Sequence, residues 1–152
     1  MLRSFAAFAS VVLLLLTGVV QADDAKRDLE KLQGTWEIVK VVNSGRAAPA
    51  EEVKGGQVVF KGDEMTLKEG ADDKNPWKFR VKLYPSQNPK ALDATALNQE
   101  HKGPVSTAIY RLEGDTLTIC SSNDPDKNER PKEFESKEGS KVILLTLKRR
   151  NP

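Results

Sequence analysis

Asp124, Asp126, Asn128 and Glu135 stand at positions one, three, five and twelve of a single run, the oxygen spacing with which a helical loop chelates calcium. Two positions break the pattern: the sixth is Glu129, where the sharp turn requires glycine, and the eighth is Pro131, where a short strand contact is needed. No helical pattern flanks the run, so it reads as an acidic surface loop. Asp72-Asp73 is weaker still. His101 is the only histidine, and a Ser-His-Asp or Cys-His arrangement would have to be built around it in a solvated loop, Gln99-Glu100-His101-Lys102-Gly103-Pro104. One histidine and one cysteine, Cys120, leave any zinc site to carboxylates without a recognisable spacing. With 22 acidic residues many pairs could flank a glycosidic bond, and nothing distinguishes one of them. Gly55-Gly56 lacks the lysine and following helix of a phosphate-binding loop. The sequence therefore assigns no catalytic residue, metal ligand or cofactor, and the expectation is a protein that is not an enzyme.

The residues suited to binding are aromatic. Trp77-Lys78-Phe79-Arg80-Val81-Lys82-Leu83 alternates without a fault, placing Trp77, Phe79, Val81 and Leu83 on one face of a strand and three cations on the other. Two further strand pairs follow from turn arithmetic. The Gly62-Asp63 loop sets Lys61 opposite Glu64, Phe60 opposite Met65 and Val58 opposite Leu67. Gly114-Asp115 sets Glu113 opposite Thr116, Leu112 opposite Leu117 and Tyr110 opposite Ile119. Residues 34–42 read as a first strand, 90–96 as a fifth and 141–149 as the last. Short strands divided by Gly, Pro and Asp turns, without amphipathic helices between them, predict an all-β protein: an up-and-down antiparallel barrel of about eight strands preceded by one short helix over 23–32.

Parity gives that barrel an interior of 17 mostly bulky residues: Trp36, Ile38, Val58, Phe60, Met65, Leu67, Trp77, Phe79, Val81, Leu83, Tyr110, Leu112, Leu117, Ile119, Ile143, Leu145 and Leu147. So full a list leans towards a packed barrel, although one of eight strands has room for a small ligand. Tyr110 needs a hydrogen-bond partner for a buried phenol, supplied by a ligand, a backbone carbonyl or Arg149. Cys120 falls opposite Ile109 on the outer face; an apolar outer pair calls for cover, and the helix bearing Leu29 and Leu32 is the expected cover. Arg130 is expected to tie a loop to the barrel through its guanidinium fork.

The first 22 residues read as an address. Arg3 supplies a positive charge, residues 5–20 are apolar with only Ser10, Thr17 and Gly18 interrupting, and Val20-Gln21-Ala22 fits the small-residue cleavage rule. Cleavage after Ala22 leaves residues 23–152 as a single domain with no membrane span, in an extracytoplasmic setting, periplasmic or secreted. Of 152 residues 130 remain, enough to bury a core without disulfides. The leader removes one of 24 basic residues, leaving 23 against 22 acidic, a balance that offers no electrostatic case for nucleic acid. A lone cysteine permits no internal disulfide, and a monomer is expected.

Leu32-Gln33-Gly34-Thr35-Trp36, the run from Ile109 to Cys120, Arg130-Pro131 with Phe134, and the ending Leu145-Thr146-Leu147-Lys148-Arg149 together resemble an uncharacterised small-domain family abundant in planctomycete bacteria. The resemblance covers nearly the whole of residues 23–152. It implies a lipocalin-like (calycin-like) barrel, often exported, and no reaction. In barrels of that kind the similar Gly-x-Trp packs at the closed end beneath a cation of the last strand, which assigns Gly34, Trp36 and Arg149 to structural closure. Trp77, Phe79 and Tyr110 are then the candidate ligand contacts. The expected function is a non-enzymatic exported binding domain that carries a small apolar ligand; the alternative is a solid-core interaction or inhibitor module that meets an envelope protein through its loops.

Overall fold

The computed structural model describes residues 13–98, 105–124 and 126–151, with side chains from residue 21 onward. His101 and Pro125, and most of the leader, lie outside the described residues. Helix α1 (Leu13–Leu32) precedes strands β1 (Gly34–Asn43) and β2 (Arg46–Ala47), the single turn α2 (Ala50–Val53), and strands β3 (Gln57–Lys61), β4 (Glu64–Lys68), β5 (Trp77–Tyr84), β6 (Ala91–Ala96), β7 (Ser106–Glu113), β8 (Thr116–Ser122) and β9 (Val142–Arg149). Every pairing is antiparallel, and each strand from β3 to β8 bonds to the next in sequence. β1 pairs with both β3 and β9, so eight strands close into an up-and-down barrel, and β2 is a two-residue flap on β1. Closure removes the unpaired edges that an open sheet would leave. Among the described residues no helix is long and apolar enough to cross a membrane.

The registers are those the turn chemistry dictates. Phe60 faces Met65 and Val58 faces Leu67 across the first hairpin, and Tyr110 faces Ile119 and Leu112 faces Leu117 across the second. Gly62 and Gly114 open the two turns at φ +62° and +58°, a conformation that costs a side-chain-bearing residue and fits a two-residue hairpin loop. In β1 the alternation slips. Trp36 and Ile38 point inward, and an unbroken period of two would bring Lys40 in after them. A bulge between Ile38 and Lys40 leaves Val39 exposed and sets Val41 opposite Leu145 instead. One extra residue thus keeps an ammonium out of the barrel.

The interior is packed at one end only. Trp36, Phe60, Leu117 and Leu147, each at most 2 % exposed, fill the half nearest α1, and Leu29 and Leu32 of α1 seal it from below. The leaning towards a solid barrel fails in the other half. Ile38, Leu67, Trp77, Phe79 and Leu145 are only partly buried there, because the facing wall is built from small residues. Ala94, Ser106, Ala108 and Ser121 occupy inward register positions on the adjacent strands β6, β7 and β8.

The closed end is tied rather than merely packed. Trp36 is fully buried, and its indole Nε1 donates to the carbonyl of Leu32 at 2.8 Å. The Arg149 guanidinium lies 4.2 Å above the indole ring, a contact of about 0.5–2 kcal/mol. Its Nη1 and Nη2 donate to the carbonyls of Gln33 and Lys31 at 3.0 and 2.6 Å, satisfying the end of α1. Gly34 makes the turn from helix to strand at φ +108°, where a side chain would be strained. Gln33 completes the closure: its amide donates to Gly62 O at 2.9 Å, and its oxygen accepts from Gly62 N at 2.7 Å.

Cys120 is buried on the outer face, opposite Ile109 as the register predicts. The expected cover is corrected. The segment after β8 lies over it, and the thiol donates to the carbonyls of Glu133 and Glu135 at 3.4 and 3.8 Å, whereas α1 packs on the closed end. Arg130 pins the same segment: Nη1 donates to Leu92 O and Ala108 O at 2.9 and 2.7 Å, and Nη2 donates to Asp93 at 2.7 Å.

Candidate functional site

The half-empty barrel opens into a cavity of about 560 Å³, within the size range of small-molecule sites. Its floor is Val58, Met65, Leu92 and Ile119. One wall carries the large residues Ile38, Leu67 and Leu145, and the other carries Ala94 and Ala108. Trp77 and Phe79, two positions apart on β5, line the cavity as well, with ring centroids 6.1 Å apart and planes 3° from parallel. A two-residue spacing places both rings on the inner face of the strand, and the sequence alternation makes this legible. Ala48 and Val53, before and within α2, line the same cavity. Gly56 follows α2 so closely that a Cβ there would stand 3.1 Å from Ile38 Cδ1, which holds α2 against β1.

Its polar lining groups are few: Glu52, Glu69, Ser106, Ser121, Ser122 and Asn123. Such an arrangement removes an apolar body from water and leaves hydrogen-bonding groups to meet a polar end. The cation-bearing positions of β5, Lys78, Arg80 and Lys82, alternate to the outer face and are exposed.

The structure brings Trp77 and Phe79 together and sets Tyr110 apart. Tyr110 lies in the packed half, 2 % exposed, and its hydroxyl donates to Asp28 Oδ2 at 2.7 Å. Neither of the protein partners considered for the phenol, a backbone carbonyl or Arg149, is the one used. Burial, followed by the hydrogen bond and charge of Asp28, pushes the phenol far above its ordinary range, so it remains a donor. Asp28 also accepts from Lys90 Nζ at 2.7 Å and lies 3.7 Å from Lys31 Nζ. Burial alone would raise the Asp28 carboxyl; the hydrogen bonds from Lys90 and Tyr110 and the charges of Lys90 and Lys31 together lower it below its usual value. This carboxylate docks α1 onto the barrel. Its one signal in the sequence is an acid sharing the helical face of Leu29 and Leu32.

The acidic run after β8 folds on itself. Asp124 Oδ1 accepts from Asp126 N at 3.0 Å and from Lys141 Nζ at 3.4 Å, while Glu135 pairs with Lys137. Among the described residues no three of His, Cys, Asp and Glu gather as metal ligands. A second groove, about 380 Å³ on the closed end beside Asp28, Lys31, Lys90 and Arg149, is lined in part by groups already engaged in docking α1.

Comparison with known proteins gives no match to any family model, any curated protein or any solved structure.

Proposed function

We propose that this protein is an exported, non-enzymatic binding domain that takes up one small apolar or aromatic molecule through the open half of its barrel. The observation that carries the reading is the cavity of about 560 Å³, lined mostly by apolar side chains that include the Trp77 and Phe79 rings. A solid interaction module would have no reason to line three adjacent strands with alanine and serine, since each missing methylene gives up about 0.8 kcal/mol of burial. Export, to a periplasm or the medium, follows from the leader pattern of residues 1–22. We also propose that the chain belongs with the planctomycete small-domain family it resembles; Trp36 beneath Arg149 at the closed end is in keeping with that resemblance.

Titration with N-phenylnaphthylamine, a neutral apolar fluorophore, tests it. Saturable enhancement with one site per chain is expected from the purified protein, and Ala94→Leu, which projects a larger side chain into the cavity, should abolish the enhancement while circular dichroism stays that of a barrel. No saturable enhancement from the folded wild type would sink the reading.

A further inference from the structure

The charged side chains among the described residues that line the cavity are of one sign. They are Glu52 and Glu69, and among the described lining residues there is no lysine, arginine or histidine. Both glutamates are exposed, and neither takes part in an ion pair among the described residues. The neighbouring cations of β5 are turned to the outer face by strand parity. The same cavity is lined by the Trp77 and Phe79 rings, whose faces carry the negative part of the aromatic quadrupole. Among the described lining residues, a cation entering this cavity meets favourable charge from the carboxylates and from the rings, and an anion meets no basic group.

We infer that the ligand of this cavity is a cationic amphiphile, an apolar or aromatic body carrying a protonated amine, held with its body in the barrel and its charge between Glu52, Glu69 and the Trp77–Phe79 pair. The inference rests on the binding reading above and adds the chemistry of the ligand's polar end. Fatty acids and other anionic amphiphiles are discriminated against, because their carboxylate would have to sit beside two others with no basic residue among the described lining residues to receive it. Neutral analogues fall between.

The test is displacement of N-phenylnaphthylamine by three compounds that share one ring system: naphthylethylamine, naphthylethanol and naphthylacetate. At pH 7 and low salt the amine should displace the probe at about tenfold lower concentration than the acid, the size expected of one exposed ion pair and one exposed cation–π contact together. In the double variant Glu52→Gln/Glu69→Gln the ratio should fall below about threefold, leaving only the contribution of the rings. The ratio is taken within each variant, so any change in probe affinity cancels. Displacement by the acid equal to or better than that by the amine overturns the inference and leaves the binding reading standing; so does a tenfold ratio that survives in the double variant. Absence of probe binding overturns both.

Discussion

Replacing Ala94 with leucine reads the state of the barrel interior directly, because the sign of the stability change depends on whether space is present. Ala94 is 5 % exposed, points inward from β6 between Val81 and Ser106, and lines the cavity. Leucine adds three carbon groups. If they enter open space and leave water, each contributes up to about 0.8 kcal/mol, an upper bound near 2.4 kcal/mol. The cavity is open at its mouth, so part of that area stays wet, and a stabilisation of roughly 1 kcal/mol is expected. Forced into a packed core, the same side chain would destabilise by about 1–3 kcal/mol. Urea unfolding separates the two cases through the midpoint, provided that the slope is unchanged. A midpoint lowered by the equivalent of more than about 1 kcal/mol would refute a hollow upper half.

Three further outcomes concern the closed end and the outer face. Asp28 has a folded-state pKa held below its unfolded value, so its contribution is complete above about pH 5 and is lost as pH falls through the folded value; Asp28→Ala should lower stability by about 1–3 kcal/mol at pH 7, by stranding the Tyr110 hydroxyl, and should flatten the acid limb of a pH-stability curve. Arg149→Lys keeps the charge and loses the fork onto Gln33 and Lys31, so a loss of roughly 1–3 kcal/mol with a red shift of the Trp36 emission is expected; an unchanged unfolding midpoint would show the fork to be idle. Burial raises the Cys120 pKa, so the thiol should stay unreactive towards a disulfide reagent in the native protein and react in urea.

Strand order and register were legible because each depends on neighbours in sequence. Gly62-Asp63 and Gly114-Asp115 fix their hairpins over two residues, and the alternation of Trp77 to Leu83 fixes a face. The Trp77–Phe79 half of the candidate site was visible for the same reason. What escaped depends on chain segments far apart. Asp28 and Tyr110 are 82 positions apart, and their bond exists only because α1 folds under the barrel. The cover over Cys120 comes from 133–135, a stretch with no period to read. The cavity itself was hidden by counting large inward residues without asking which strands lacked them: Ala94, Ser106, Ala108 and Ser121 are weak core signals singly and become a hollow only when β6, β7 and β8 lie side by side.

A barrel that leaves half its interior unfilled gives up burial that a packed one of this size would use, and stability must then be concentrated elsewhere. The closed end is where it is concentrated: a fully buried indole, a guanidinium fork, a glutamine clamp and a carboxylate hub meet on one short helix. This division predicts how mutations combine. Ala94→Leu acts on the open half and Arg149→Lys on the closed half, with no shared partner among the described contacts. Their stability changes should therefore add to within about 0.5 kcal/mol. A larger coupling would mean that the floor of the cavity, through Val58 and Met65, transmits strain to the indole below, and that filling the cavity with a ligand would tighten the closed end as well.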